Sequence, residues 1–397
     1  MQKFLRLFFL FSVAVAPALA QRSSSLGTVE VMVDNSMLPV RVSGSTPELN
    51  DLALRAFATH GRYKLVASNY AFDIKFEPAG PAQVHVGITK GSGASPFASE
   101  TVPGNNLRHA LLRAADVAVE KTNGLGLHGY FTGRLAFIQD LGRAKEVCTS
   151  DLFFSSGEVT QITHNGVQSL SPRWAPDGSK ILFTSYLKSF PDIFMLDLVS
   201  RQTVTFASFK GTNTGARFSP NGRQVAMVLS GEGSQEIYVS DAQGRGVARR
   251  THSDWAKASP CWSPDGGRIA FTMQPGPQLW VMSASGGTPQ RLATGFSSAA
   301  EPDWNRANPG KIACTVFVNR QYQIAVYDFS KGKAEVVSSA KFDGQEPCWL
   351  ADGRHLVYTA RSPSESRLCI LDTETGKSTP ISPASFGSAL QGSVWTP

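Results

Sequence analysis

An aromatic residue that returns at a nearly fixed interval constrains this chain more than anything else in it. Trp174, Phe218, Trp262, Trp304, Trp349 and Trp395 are separated by 44, 44, 42, 45 and 46 residues. Five of the six are followed by a turn: Pro176-Asp177-Gly178, Pro220-Asn221-Gly222, Pro264-Asp265-Gly266, Asn308-Pro309-Gly310 and Ala351-Asp352-Gly353. In such turns Pro presets the first dihedral, Asp or Asn bonds the local backbone, and Gly takes the left-handed position. After the turn comes an alternating run such as Ile181-Leu182-Phe183-Thr184 or Ile269-Ala270-Phe271-Thr272, which reads as a strand. A second alternating run follows, as in Asp192-Ile193-Phe194-Met195-Leu196-Asp197, and then a third. With the strand that carries the aromatic residue, each unit holds four strands in about 44 residues, the period of a propeller blade.

The ends of the array set the number of blades. The last copy stops at Val394-Trp395-Thr396-Pro397, without the turn and second strand of the others. Far upstream, Gly133-Arg134-Leu135-Ala136-Phe137 reads like Gly267-Arg268-Ile269-Ala270-Phe271 but has no Trp strand before it. The C-terminal strand is therefore expected to complete the first blade, pairing Val394 and Trp395 with the strand of Leu135 and Phe137. Such pairing gives six blades and leaves no open sheet edge. The repeated Trp residues are expected to pack between blades, as core and not as a ligand-stacking row.

The first 20 residues read as a signal peptide. Lys3 and Arg6 precede an apolar run from Leu7 to Ala16, and small residues at Ala18 and Ala20 place cleavage between Ala20 and Gln21. No later segment is apolar over a bilayer's width, so no transmembrane segment is expected in the mature chain. Residues 21–127 have a different texture. Thr46 and Pro47 open a helix whose apolar face is Leu49, Leu52, Ala53, Ala56 and Phe57, and Leu107, Ala110, Leu111, Ala114 and Ala118 mark a second. Alternating segments near Val29 to Val33, Pro39 to Val42, Tyr63 to Val66, Phe72 to Phe76 and Val84 to Ile88 read as strands, and Gly91 to Pro103 as a surface loop. The expected organisation is a signal peptide (1–20), a small α+β domain (21–127) and an all-β six-bladed propeller (128–397).

Several chemistries are disfavoured. The net charge of +7, about +5 without Lys3 and Arg6, is not gathered into a basic stripe, which argues against nucleic acid. Gly124-Leu125-Gly126-Leu127-His128-Gly129 matches a dinucleotide fingerprint in letters only, because a helix precedes it and a strand follows, so no nucleotide cofactor is expected. A propeller peptidase would need a further hydrolase domain with a G-x-S-x-G elbow. A metal-dependent polysaccharide lyase remains the enzymatic alternative, with His164 and His252 as its candidate ligands, although no close metal-ligand spacing supports it. Asp372 to Lys377 reads as a hairpin turn more simply than as a calcium loop. The five Cys residues show no disulfide framework and read mostly as buried thiols.

What remains is the mouth of the ring. Residues one and three before each aromatic should face the channel together. They place Arg173 and Arg217 on two blades and Glu301, Asp303 and Glu346 on two others. These charges could simply pair around a wet channel, or form a docking surface with directional charge for a protein partner.

Together with this repeat, Leu107-Arg108-His109-Ala110, Lys121-Thr122-Asn123-Gly124, Thr132-Gly133-Arg134-Leu135-Ala136-Phe137 and the terminal Trp395-Thr396-Pro397 resemble the TolB family of periplasmic propeller proteins of the Tol-Pal envelope system. The resemblance implies a monomeric, non-enzymatic adaptor without cofactor or metal, supporting outer-membrane integrity and constriction at cell division. It implies a peptidoglycan-associated lipoprotein (Pal-like) bound at the propeller mouth, at positions including Thr212, Asn213, Gly215, Ala258, Glu301 and Glu346. It also implies a TolA-like inner-membrane partner reached through residues 21–34, although the first domain is short and residues 21–27 are Ser-rich.

Overall fold

A computed structural model describes residues 37–397 apart from 93, 94 and 156. The signal peptide, the Ala20/Gln21 cleavage point, the strand near Val29 and the segment 21–34 lie outside the described residues. No helix among the described residues is long and apolar enough to cross a membrane.

The α+β part is a five-stranded sheet with two helices. Strand β1 (Leu38–Gly44) leads to helix α1 (Pro47–Thr59), which returns the chain to β2 (Tyr63–Leu65) in parallel beside β1. Thr46 caps α1 by accepting the Leu49 N–H, and Leu49, Leu52, Ala53, Ala56 and Phe57 form its buried face. Strands β3 (Phe72–Gly80), β4 (Gln83–Lys90) and β5 (Ser95–Pro103) complete the sheet in the order β2-β1-β3-β4-β5, and helix α2 (Leu107–Thr122) packs against it. Strand β5 corrects the loop expected over Gly91 to Pro103. As an edge strand with only Val102 buried, it needs neither an apolar alternation nor a donor at Pro96.

Six four-stranded sheets follow. Their inner strands are Ser388–Trp395, Ser169–Trp174, Asn213–Phe218, Lys257–Trp262, Ala299–Trp304 and Asp343–Trp349, for blades one to six. Blade one is closed by the C-terminal strand: Ser388–Trp395 lies antiparallel to Arg134–Asp140, which continues through Lys145–Asp151 to Thr160–Gln161. The last aromatic residue sits one step out of register with the others. Val394, not Trp395, faces Leu135, as Trp174 faces Ile181 and Trp262 faces Ile269. Val394 thus stands where the other blades have their repeated aromatic, and Gly392 stands where they have Pro172 or Pro260; a Cβ on Gly392 would lie 2.9 Å from Val357 and 3.2 Å from Leu368. Trp395 is thereby carried one step further, across Gly178 of the next blade, with its ring centroid 6.0 Å from that of Trp174.

The indoles also tie the blades together by hydrogen bonds. Trp174, Trp262 and Trp349 each donate Nε1–H to a carbonyl on the inner strand of the preceding blade, at Ser393 (3.1 Å), Arg217 (3.0 Å) and Asp303 (3.0 Å). All five cysteines are buried free thiols.

In each blade the inner strand descends, the second strand rises and the third descends. The ring thus has an upper face, where inner strands begin, and a lower face, where they end. The α+β part packs on the lower face of blades one and six through an apolar cluster that runs from Phe57 and Phe131 to Phe153, Leu350 and Ile370. A polar seam lies beside it. The Gly61 N–H donates to His355 Nε2 (3.1 Å), and a Cβ on Gly61 would fall 1.6 Å from an Asp372 carboxylate oxygen, so only glycine permits this approach. His355 bonds Asp352 at 2.5 Å, and Arg354 makes two bonds to Asp372 at 2.9 and 2.7 Å. Burial alone would raise the Asp352 carboxyl, but the charge of His355 and its hydrogen bond outweigh that and hold it at about 2.

Three outcomes are expected. Gly392→Val should lower the unfolding free energy by about 1–3 kcal/mol through overpacking, and removal of residues 388–397 should lower the melting temperature further and favour self-association through the bared edge of Arg134–Asp140. A melting curve unchanged by the truncation would refute closure by this strand. For Asp352 the folded pKa lies below the unfolded one, so its contribution is present above about pH 4 and is lost as pH falls toward 2. The stability difference between the parent chain and Asp352→Asn should therefore shrink over that window, which acid titration of chemical unfolding would measure.

Candidate functional site

Each inner strand carries an extra residue, and that bulge shapes the channel. In blades two to six the register slips by one between the aromatic residue and the start of the strand, and in blade one it slips at Gln391-Gly392. The bulged residue is left-handed in all six: Ser171, Gly215, Ser259, Glu301, Glu346 and Gln391, with φ between 51° and 66°. Five of these are not glycine and hold a backbone region that L side chains rarely adopt, at a cost of about 1–3 kcal/mol each. The channel is thus built in two tiers, the bulged residues above and Arg173, Arg217, Cys261, Asp303, Cys348 and Ser393 below.

In the upper tier the side chains stitch one blade to the next. Glu301 accepts the Glu346 N–H (3.0 Å), Glu346 accepts the Gln391 N–H (3.2 Å), and Gln391 accepts the Ser171 N–H (2.7 Å). Thr315 donates to Glu301 at 2.7 Å, and Thr359 and Arg361 donate to Glu346 at 2.7 Å each. Burial first, and then the Glu346 carboxylate, push Glu301 above the usual carboxylate range. In the lower tier Arg217 of blade three reaches past blade four to Asp303 of blade five at 2.7 Å, with both side chains largely buried.

The charges read from the sequence as a mouth are therefore brought together, and much of their hydrogen-bonding capacity is used inside the ring. Asn213 is fully buried and holds the loop before its strand by bonds to Phe209 N–H (2.9 Å) and Phe209 C=O (2.8 Å). The Thr212 N–H is bonded by Ser230 (2.8 Å), Gly215 is the bulged residue of blade three, and Ala258 is exposed on the upper face. His164 and His252 are both exposed and gather no ligand cluster among the described residues. One close group of potential ligands occurs there, His60, Asp352 and His355, and it belongs to the seam under the α+β part. The glycines at 124–129 follow α2, where Asn123 holds Leu125 N–H (2.7 Å) and Leu127 N–H (3.0 Å).

Sequence reasoning missed the outer rim of the upper face. Its loops and hairpin tips expose Leu141, Tyr186, Leu187, Phe190, Phe209, Trp255, Phe317, Tyr322 and Phe342, contributed by blades one to six, with Phe190 62% and Trp255 52% exposed. Exposed cations Lys210, Arg320 and Lys341 stand among them. A signal was present: Trp255 falls outside the aromatic period, and Tyr186, Leu187 and Phe190 fall in a turn where a blade has no apolar position to fill. Apolar residues gathered on one face of a protein mark a binding surface more often than chance exposure does.

Comparison with known proteins is consistent with this architecture. A family model described as the TolB beta propeller domain matches residues 123–397. A protein TolB homolog of Chlorobium luteolum is 27% identical over 216 residues, covering 53% of this chain and 48% of that protein. The Tol-Pal system protein TolB of Desulfosudis oleivorans is 34% identical over 128 residues, covering 32% of this chain and 28% of its own. The aligned part thus spans half or less of these relatives. The crystal structure of TolB from Acinetobacter baumannii superposes with a TM-score of 0.77 at 21% identity, over 90% of this chain and 96% of that one, a likeness of fold.

Glu346→Ala should destabilise the ring by about 1–3 kcal/mol, because it takes away the carboxylate to which Thr359 and Arg361 donate. Chemical denaturation checks this, and an unchanged midpoint would return Glu346 to a free rim charge.

Proposed function

Since the chain belongs to the TolB beta propeller domain family, we propose that it is an exported, non-enzymatic adaptor of a Tol-Pal-like envelope system, cleaved after Ala20 and acting in the periplasm. Its partner on the upper face is a peptidoglycan-associated lipoprotein of the Pal type. Its second partner, a TolA-like inner-membrane protein, is met through residues 21–34, and the two contacts together serve outer-membrane integrity and constriction at division. The observation that carries the first contact is the apolar rim of Phe190, Phe209, Trp255 and Phe342 around a polar channel mouth. Aromatic anchors encircled by polar groups are the usual energetic centre of a protein interface. Thr212, Asn213, Gly215 and Ala258 shape the loops that present this rim. Arg173, Arg217, Glu301, Asp303 and Glu346 hold the channel walls beneath it. Lys210, Arg320 and Lys341 favour an acidic border on the partner.

Titration calorimetry with the soluble domain of such a lipoprotein tests the reading. Trp255→Ala combined with Phe190→Ser should weaken binding about 30-fold or more, the loss of about 2 kcal/mol expected of hot-spot residues. Val199→Ser, on the lower face, should leave affinity unchanged. No measurable binding by the parent chain would dismiss the adaptor reading.

A further inference from the structure

Below the two tiers the channel opens at the lower face into a cavity of about 400 Å3, walled by the last residues of the inner strands and the turns that follow them. Arg173 and Arg217 line it, at the level where it meets the small polar pocket of the upper tier, and Arg306 stands exposed at its rim. Asp303 is the one carboxylate among the described residues that line it. That carboxylate is already committed, to Arg217 at 2.7 Å and to the Trp349 N–H at 2.8 Å.

Arg173 has no carboxylate partner among the described residues, and its hydrogen bond runs to the carbonyl of Pro172 at 3.2 Å. The neighbouring thiols do not balance its charge. Cys261 Sγ accepts the Trp304 N–H at 3.2 Å and Cys348 Sγ accepts the Val394 N–H at 3.4 Å. Burial raises both thiols, Cys348 to about 11, so each is protonated at neutral pH. The cavity therefore holds a positive charge that its own walls leave unbalanced, and a second at its rim. A desolvated cation of this kind is costly until an anion joins it.

From this geometry we infer that the lower cavity binds a small oxyanion, a phosphate or carboxylate group seated against Arg173 and Arg217. Guanidinium groups suit that role because their planar N–H forks match both anions bidentately. The volume suits a small molecule and not a folded partner. This site lies at the opposite end of the channel from the proposed lipoprotein surface and does not depend on that reading.

Calorimetric titration of the full chain at low ionic strength, with inorganic phosphate and separately with succinate, tests the assignment and shows whether the tetrahedral or the planar anion fits. Saturable one-to-one binding of at least one is expected. It should weaken about 10- to 100-fold in Arg173→Gln, the value of a charge-assisted hydrogen-bonding group. It should be unchanged in Arg291→Gln, which removes an exposed arginine elsewhere on the ring. Asp303→Asn should tighten binding several-fold by releasing Arg217 from its carboxylate. Absence of saturable binding to both anions, or equal affinity in the parent and Arg173→Gln, would overturn the inference. Should Arg173→Gln fail to fold, Asp303→Asn decides alone, and unchanged or weaker binding there overturns it.

Discussion

Every blade of the ring leans on its neighbours, and the circle of contacts is completed by one seam, the pairing of Ser388–Trp395 with Arg134–Asp140. Without it blade one loses its inner strand and the next blade loses the carbonyl at Ser393 that receives the Trp174 indole. The seam joins segments about 250 residues apart, so its closure carries an entropic cost that grows with the logarithm of that separation. Gly392 allows a close approach to blade six. It lets the backbone of the closing strand lie against Val357 and Leu368 of blade six, where any side chain would collide.

The bulge is the second constraint, and it converts a stack of sheets into a channel with distinct levels. A regular strand would present alternate side chains at even depth. The left-handed residue instead delivers its own side chain to the upper tier and turns the residue before the aromatic into the lower one. Acidic and amide side chains in the upper tier accept backbone N–H groups of the following blade. In the lower tier the same geometric position carries arginine twice, cysteine twice, and aspartate and serine once each. Charge separation along the channel axis thus follows from the side chains placed on one repeated backbone feature.

Much of this was legible in the sequence because the repeat is enforced by packing at every turn of the ring. The period, the turn residues and the alternating second and third strands all point to the same blade, and the interrupted last copy points to closure. What escaped reading was whatever breaks the period by one residue or lies outside it. Trp395 stands four residues after its bulged residue where the other aromatics stand three after theirs, which makes the last interval 46, a difference no larger than those between other copies, yet it places Trp395 a full register step further on. Strand β5 escaped because an edge strand with one buried side chain has the composition of a loop. The pairing of Arg217 with Asp303 spans 86 residues and skips the blade between them, a distance that periodicity can suggest but cannot measure.

The placement of the α+β part gives the ring a direction. Among the described residues, its helix α1 and the segment that follows meet blades one and six on the lower face, the face away from the rim of aromatic side chains. The contact is not a purely apolar one: Gly61, His355, Asp352, Arg354 and Asp372 set buried charges beside the shared apolar cluster. Breaking such a seam would leave desolvated carboxylates without their partners, which costs more than parting apolar surfaces of the same area. The α+β part is therefore held in one orientation against the two blades that the closing strand joins. The Glu346–Gln391 bond, the closing strand and His355 all belong to this pair of blades.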